Sequence, residues 1–221
     1  MLPIIKNNII NIIELFASVQ GETSFSGIPT VFVRTAACNL RCSWCDTTYS
    51  FGRGNPMTID SIIEFVKESG LQYVCITGGE PLLQEHIYAL MTELCDLGYI
   101  VTIETGGSLP TDQIDPRVCS ILDIKCPGSK MDHKNYFKNL ESLRPDDEVK
   151  FVIMDETDYS YAKEVMEKYK LHERKNRVLF SPVHGVMDPQ VLVKKILDDR
   201  LHVRLNLQIH KFIWTPETKG V

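Results

Sequence analysis

Three cysteines lie in one short segment of this chain, at Cys38, Cys42 and Cys45, in the spacing C-x3-C-x2-C. Three thiolates on one loop can hold three irons of a [4Fe–4S] cube, which leaves the fourth iron without a protein ligand. An open iron can bind a small molecule, and binding there makes a cluster a catalyst instead of an electron carrier. The segment therefore predicts a catalytic iron–sulfur site.

One other use of these cysteines, a zinc site, remains open at this point, and a second, a disulfide framework, is disfavoured. A zinc site would need a fourth ligand from His133, His172 or Cys126, although no second C-x2-C pair is present. A disulfide framework fits poorly with seven cysteines, an odd number. We expect Cys75, Cys95 and Cys119 to be small core residues, because each lies in an apolar strand or helix pattern. Cys126 follows a predicted strand, and its role stays open.

Composition narrows the class of protein. The chain has 221 residues, is 43% hydrophobic, and carries a formal net charge of −5. These values predict one domain over residues 1–221 and argue against a nucleic-acid or anionic-membrane partner. The first residues, Met1 to Asn7, lack the charged start and long apolar run of a signal peptide, so we expect a cytoplasmic protein.

Strand and helix patterns alternate along the chain. Predicted strands are Thr30–Thr35, Tyr73–Thr77, Ile100–Thr105, Ile121–Lys125, Val149–Ile153, Val178–Ser181 and Val203–Gln208, after a first strand that ends at the segment 18–23. Apolar residues at helical spacing predict helices around Ile59–Val66, Ile87–Leu94, Ala162–Tyr169 and from Pro189 through Leu197. Strands separated by helices predict an α/β fold with a parallel sheet, curled or closed.

Polar residues collect where these strands end. The segments are Arg34 with the cysteine loop, Thr77-Gly78-Gly79-Glu80-Pro81, Glu104-Thr105-Gly106-Gly107, Asp123-Ile124-Lys125, Ser181-Pro182-Val183-His184 and Gln208-Ile209-His210. The carboxyl ends of parallel strands meet at one edge of the sheet, where α/β enzymes hold their chemistry. We therefore expect these segments to lie together around one opening at that edge, called here the mouth of the site.

The cysteine spacing, with Trp44 before the third cysteine, resembles the signature of radical S-adenosylmethionine (SAM) enzymes. In that family the open iron chelates SAM and cleaves it to a 5′-deoxyadenosyl radical. The segment Gly78-Gly79-Glu80 resembles the family's "GGE" segment, whose backbone binds the methionine amino group, and Trp44 would pack against the adenine. Taken alone, the two glycines and Pro81 equally describe an ordinary strand-to-helix turn.

A longer set of motifs resembles one radical SAM family, the 7-carboxy-7-deazaguanine synthases. The matching segments are Val19-Gln20-Gly21-Glu22, Gly27-x-Pro29, Phe32-Val33-Arg34, Cys38 to Thr47, Thr77 to Pro81, Ile103 to Ser108, Asp123 to Lys125, Ser181 to Gly185 and Gln208 to Lys211. The resemblance covers essentially the whole chain. It implies a partial TIM-like β/α barrel of the radical SAM type.

The resemblance also implies the reaction and its cofactors. This family converts 6-carboxy-5,6,7,8-tetrahydropterin into 7-carboxy-7-deazaguanine and ammonia, in the biosynthesis of queuosine and related 7-deazapurines. The radical takes hydrogen from C6, the ring contracts, and the returned hydrogen regenerates SAM, so SAM acts catalytically. The family also requires Mg²⁺, and the position of its protein ligand corresponds to Thr47, although this residue alone would be read as an ordinary loop hydroxyl. A flavodoxin or ferredoxin would supply electrons, and the family implies a homodimer.

Binding residues follow from the same resemblance. The substrate would contact Val19, Gln20, Gly21, Glu22, Arg34, Thr77 and His210. SAM would contact Trp44, Cys45, Asp46, Gly79, Glu104, Asp123, Ile124, Lys125, Ser181, Pro182, Val183 and His184. Chemistry supports part of this set, since a substrate carboxylate calls for a forked cation such as Arg34. Alternatively, Arg34 pairs with a surface carboxylate and Glu22 caps a turn.

Two departures and two competing functions complete the sequence analysis. This chain has the short form of the cysteine loop, and it continues past the histidine motif from Trp214 to Val221, where some members end and use their terminal carboxylate on the substrate. A radical SAM activase that generates a glycyl radical on a partner protein would share the loop, but should lack Gln20-Gly21-Glu22 and His210-Lys211. A non-enzymatic iron–sulfur or zinc scaffold would not need polar strand ends.

Overall fold

The computed structural model describes residues 8–174, 177–215 and 218–221. Its strands are β1 (Ile9–Val19), β2 (Pro29–Thr35), β3 (Asn55–Thr58), β4 (Tyr73–Gly78), β5 (Ile100–Thr105), β6 (Cys119–Ile124), β7 (Glu148–Ile153), β8 (Val178–Pro182) and β9 (Arg204–Leu205). Its helices are α1 (Ile59–Ser69), α2 (Ile87–Asp96), α3 (Glu156–Lys168), α4 (Pro189–Asp198) and the single turn α5 (His210–Ile213). Within these ranges, no helix is long and apolar enough to cross a bilayer.

The strands form one sheet of nine in the order β3-β1-β2-β4-β5-β6-β7-β8-β9, counted over the described residues. Every pairing from β2 to β9 is parallel, and β1 pairs antiparallel with both β2 and β3. The sheet has two free edges, β3 and β9, so it is curled and not closed. The predicted α/β fold with a partial barrel is confirmed.

Helix α1 illustrates how local sequence sets an element's bounds. The Thr58 hydroxyl caps the helix by accepting the Ser61 amide at 3.1 Å, and Gly70 ends it in the left-handed conformation at φ 67°. Ile62 and Val66 are fully buried against the sheet. Each such side chain contributes roughly 1.5–3 kcal/mol by leaving water. The predicted helix and its glycine stop are confirmed.

Alternation along each strand separates an apolar face from a polar one. The side chains of Val33, Ile76, Ile103, Ile124 and Phe151 lie in the two apolar cores. Because successive side chains point to opposite faces, a residue adjacent to each of these along its strand lines the inside of the curl. Those inner residues are Arg34, Thr77, Glu104, Asp123 and Lys150. The fold thus gives each central strand one polar side chain for the mouth.

Three features differ from the expectations. Strand β3 has no counterpart among them, because Asn55-Pro56-Met57-Thr58 lacks a strand pattern and Pro56 suits only an edge. The strand predicted over Val203–Gln208 is wrong except for Arg204–Leu205: pairing with β8 ends where the Asn206 amide donates to the Phe180 carbonyl, and the Asn206 side chain bonds to Ser181 and Thr23 at that point. Leu197, placed on the buried face of its helix, is 69% exposed.

Candidate active site

The cysteine loop follows β2 and is fixed at both ends. The Leu40 amide donates to the Cys38 thiol at 3.4 Å. Further along, the Ser43 amide and hydroxyl donate to the carbonyls of Ser129 and Gly128, at 3.1 and 2.7 Å. The Trp44 ring packs on Gly128 so closely that an added Cβ there would lie 2.9 Å from it. The loop is thereby joined to the turn that follows β6.

The glycine turn after β4 packs directly under the start of this loop. A Cβ added to Gly79 would lie 2.1 Å from the carbonyl oxygen of Ala37 and 2.9 Å from Cys38 Cβ. The Glu80 amide holds that Ala37 carbonyl at 2.9 Å. The Glu80 carboxylate is fully buried and accepts from Thr105 and from the Gly106 amide, so it ties the turn to the end of β5. Only glycine allows this approach.

The three thiols fit a cluster better than a zinc ion. Burial raises the pKa of the Cys38 and Cys42 thiols, which lie half-buried. Over the part of the chain that the structure describes, no three His, Cys, Asp or Glu side chains are gathered closely enough for one metal ion. Of the fourth ligands weighed for zinc, His133 is exposed and Cys126 is buried with its thiol directed at the Ile124 carbonyl. In a cube each thiolate instead binds its own iron, which three cysteines on one loop can do.

A hydrogen-bonded chain of side chains crosses the inner face of the sheet. Thr77 donates to one Glu104 oxygen at 3.1 Å, and the Gln20 amide donates to the other at 3.3 Å. Gln20 also receives the Glu22 amide at 3.1 Å. Burial raises the pKa of the Glu104 carboxyl. Residues from β4, β5 and the loop after β1 are thus brought into one polar site.

Two ammonium groups and two carboxylates continue this site. Lys150 lies 3.0 Å from Glu22 and 3.5 Å from Asp123, and Lys125 lies 3.0 Å from the same Asp123 oxygen. Burial would raise the pKa of both carboxyl groups, but the lysine charges outweigh it, so both pKa values are lowered. The other Asp123 oxygen, Oδ1, is buried without a partner among the described residues. It is an acceptor available to a ligand's hydroxyl or amine.

Arg34 lies at the other side of the mouth, half-buried. Its Nε donates to Glu14 at 2.9 Å, and the same Glu14 oxygen accepts the Tyr49 hydroxyl at 3.1 Å. The alternative considered from sequence, in which Arg34 pairs with a carboxylate, therefore holds for its Nε nitrogen. Lys219 lies over the Tyr49 ring at 4.2 Å, which brings the C-terminal extension back to this side of the site.

The segment after β9 contacts both the cysteine loop and the loop after β1. The Lys211 ammonium and the Gln208 amide both reach Asp46 of the cysteine loop, at 2.8 and 3.4 Å. His210 packs on Gly21, where an added Cβ would lie 2.0 Å from its Nδ1. Burial lowers the pKa of His210, which favours the neutral imidazole.

Comparisons with known proteins agree with this geometry. The radical SAM superfamily profile matches residues 32–190. The 7-carboxy-7-deazaguanine synthase of Koribacter versatilis is 46% identical, over 95% of this chain and 99% of the relative. The protein of the same name from Chlorobaculum tepidum is 44% identical, over 96% and 97%. This chain belongs to the 7-carboxy-7-deazaguanine synthase family.

Solved structures show the same architecture. QueE from Escherichia coli superposes with a TM-score of 0.75 at 21% identity, over 90% of this chain and 94% of that one. SuiB from Streptococcus suis, solved with a precursor peptide, gives a TM-score of 0.59 at 14% identity, over 79% of this chain and 47% of that one. Both likenesses concern the fold alone, and the radical SAM assignment of this partial barrel rests on the superfamily profile.

The remaining residues implied by the family lie around the mouth with unequal roles. Ser181 is buried and receives the Asn206 amide at 2.8 Å. The side chains of Ile124 and Val183 are buried, so only their backbone can face a ligand, and Val19 ends β1. His184 is exposed, and with Pro182 it borders a cavity of about 380 Å³ also lined by Met187, Leu207 and Phe212. Thr47 places its hydroxyl 3.8 Å from the Cys45 thiol.

Several residues of the site were not identified as site residues from sequence. These are Glu14, Lys150 and Asn206. Gln208 and Lys211 belong to a strand-end motif identified from sequence, but no contact was assigned to either side chain. A signal existed for Lys150, because a lysine stands between Val149 and Phe151 in a strand whose neighbours are buried. The sequence carried no such signal for Glu14, since alternate polar residues are ordinary in a strand with one solvated face. The Cys75, Cys119 and Cys126 side chains are buried, and Cys95 packs against the core.

Proposed function

We propose that this chain is a radical SAM lyase that converts 6-carboxy-5,6,7,8-tetrahydropterin into 7-carboxy-7-deazaguanine, with release of ammonia, in 7-deazapurine (queuosine) biosynthesis. The observation that carries the proposal is the set of hydrogen bonds from the strand-end segments to the cysteine loop, in a chain that aligns over at least 95% of its length with synthases of that name. As in its family, the cofactors are a [4Fe–4S] cluster and SAM. Together they supply hydrogen-atom abstraction when bound.

Residues near the cysteine loop suit the cofactors. The thiols of Cys38, Cys42 and Cys45 would hold the cluster. For SAM, the backbone at Gly79 lies against the loop and can accept an ammonium group, while Asp123 offers its unpartnered oxygen to a ribose hydroxyl. The other SAM contacts would come from Trp44, Asp46, Glu104, Ile124, Lys125 and the segment 181–184.

Residues toward the β1 and β2 side suit the pterin. Arg34 would direct the terminal nitrogens of its guanidinium at the substrate carboxylate while Glu14 holds Nε. The pyrimidinone edge of the pterin presents N–H donors, and the ionised Glu22 and the polar Gln20 and Thr77 suit that edge. Val19 and Gly21 would contribute backbone. Neutral His210 packs beside Gly21 and can donate or accept one hydrogen bond.

Magnesium completes the proposed set. Mg²⁺ prefers oxygen ligands and keeps much of its water, so one protein hydroxyl plus the substrate carboxylate is a sufficient site. The Thr47 hydroxyl lies beside Cys45 at the mouth, which supports its role as that ligand. The ion would orient the carboxylate next to the carbon that loses hydrogen.

The remaining parts of the proposal are the domain organisation, the electron donor, the oligomeric state and the location. We infer a single radical SAM domain over residues 1–221, supported by a sheet that continues from β3 to β9 without interruption. A flavodoxin or ferredoxin as electron donor and a homodimer stay predictions from the family, and a cytoplasmic location stays a prediction from the sequence.

The decisive experiment is anaerobic turnover. Purified protein is reconstituted with iron and sulfide, reduced with dithionite, and incubated with SAM and the carboxytetrahydropterin. The proposal predicts the ultraviolet spectrum of a deazapurine, together with ammonia, from wild-type protein and none from Cys42→Ala. The radical SAM activase alternative predicts cleavage of SAM without any change in the pterin, and that result would overturn the proposal.

A further inference from the structure

Lys150 is a buried cation that the proposed function leaves without a role. Its side chain is 11% exposed, and its ammonium lies 3.0 Å from Glu22 and 3.5 Å from Asp123. Glu22 belongs to the loop after β1, on the side proposed for the pterin. Asp123 ends β6, on the side proposed for SAM. One ammonium group therefore joins the two halves of the site.

The charges around Lys150 are unbalanced without it. Three carboxylates face it, from Glu22, Asp123 and Glu104, and Lys125 is the second ammonium of this group. Removing Lys150 would leave three buried carboxyl groups facing one cation, an arrangement that proteins relieve by taking up a proton. Two charges farther out also act on these carboxylates, Asp46 on Glu22 and Arg34 on Glu104. The neutral His210 imidazole also faces Glu22, and the Lys211 ammonium lies beside His210.

We propose that Lys150 is a positioning residue that holds Glu22 and Asp123 in place as charged acceptors, Glu22 for the N–H groups of the pterin and Asp123 for a hydroxyl of SAM. This inference rests on the proposed function, because it takes the two ligands from it. Lys150 acts through the carboxylates and has no contact with substrate of its own.

The hydrogen bonds around Glu22 support this role. Lys150 and Asn206 donate to one oxygen at 3.0 and 3.3 Å, and Gln208 donates to the other at 2.7 Å. Of these three donors only Lys150 carries charge. Burial would lower the pKa of the ammonium, but Glu22 and Asp123 raise it well above its usual value, so it stays charged. Lys150 is therefore the charged partner of Glu22, and its charge acts with the Gln208 hydrogen bond to lower the pKa of that carboxyl against the effect of burial.

Binding of the fluorescent analogue 6-carboxypterin tests the inference without turnover. Dissociation constants are measured anaerobically on cluster-loaded protein without reductant, for wild type, Lys150→Gln and Lys150→Arg, from about pH 6 to about pH 8.5. At each pH the dissociation constant of the variant is divided by that of wild type, so that protonation of the probe itself cancels in the ratio. Lys163→Gln is the matched control, because Lys163 forms a surface ion pair with Asp199.

The expected result follows from the sign of the charge effect. Without the ammonium, the pKa of Glu22 rises, so Glu22 is protonated at low pH and ionised again at high pH. Lys150→Gln should bind roughly tenfold or more weakly at the low end, the loss expected for a hydrogen bond to a charged group, and should recover as pH rises. Lys150→Arg keeps the charge and should stay near wild type. Lys163→Gln should not differ from wild type.

The outcomes separate this inference from the proposed function. Failure of wild-type protein to bind the probe would overturn the proposed function. If wild type binds normally and the ratio of the Lys150→Gln and wild-type dissociation constants does not change with pH, the role of Lys150 is overturned and the proposed function stands. If Lys150→Gln does not fold, ¹³C NMR of glutamate-labelled wild-type protein decides, with Glu22 assigned by Glu22→Gln. Ionised Glu22 throughout that pH range supports the inference, and titration of Glu22 within it refutes the inference.

Discussion

The contact between Gly79 and the cysteine loop gives the most specific prediction about how the fold supports the cluster. In Gly79→Ala, the new Cβ would lie 2.1 Å from the Ala37 carbonyl oxygen. That oxygen is main chain and is held by the Glu80 amide at 2.9 Å, so no rotamer change relieves the clash. The backbone must move, and Cys38, 2.9 Å from the same Cβ, moves with it.

The size of the effect can be worked out from overpacking. Forcing one extra carbon into a tightly packed site costs roughly 1–3 kcal/mol. For a chain of this length, each kcal/mol lowers the melting temperature by roughly 2–4 °C, so we expect a decrease of about 2–12 °C. Displacement of Cys38 should also reduce the iron bound after reconstitution.

Two measurements on the same preparations check this prediction. Thermal unfolding of the apoprotein is followed by circular dichroism, and iron per chain is assayed after anaerobic reconstitution. Gly52→Ala is the matched control, because a Cβ there would meet its nearest neighbour, the Tyr49 carbonyl oxygen, at 3.7 Å. Wild-type melting and iron content in Gly79→Ala would refute the reasoning.

Three further predictions concern the mouth of the site. Arg34→Lys should lower kcat/KM for the pterin roughly 10- to 100-fold and leave SAM binding intact, because lysine cannot form a fork; unchanged kinetics would remove Arg34 from the site. Thr47→Ala should weaken the response of turnover to Mg²⁺ in a titration at saturating SAM, whereas Thr48→Ala should keep it, and equal responses would exclude Thr47. Gly21→Ala should lower the free energy of unfolding, because the new Cβ would clash with the His210 ring, and His210→Ala should remove that clash. A double-mutant cycle on the free energy of unfolding should therefore give a coupling energy of about 0.5–3 kcal/mol, whereas additive effects would contradict the contact.

Much of the fold could be predicted from patterns of residues that are local in sequence. The apolar spacing of Ile59 to Val66, followed by Gly70, is enough to set the bounds of α1 to within a few residues. The edges of the sheet could not be predicted in this way. Strand β3 pairs antiparallel with β1, and β9 ends beside Asn206, whose side chain bonds to Thr23 and Ser181, both far away in sequence.

The site shows the same division between local and distant information. The cysteine loop and the strand-end motifs are short segments, and their residue types alone indicate the chemistry. Partners across the sheet carry no such local mark. That Glu14 holds Arg34, and that Lys150 joins Glu22 to Asp123, depends on which strands become neighbours and on their register.

The central claim is that this chain makes a 7-deazapurine from a pterin with SAM as a reusable cofactor. The most direct measurement is mass spectrometry of anaerobic reactions that contain much less SAM than carboxytetrahydropterin. A synthase that regenerates SAM should give 7-carboxy-7-deazaguanine in clear molar excess over the SAM supplied, with no matching accumulation of 5′-deoxyadenosine. Accumulation of 5′-deoxyadenosine with the pterin left unchanged would exclude this activity.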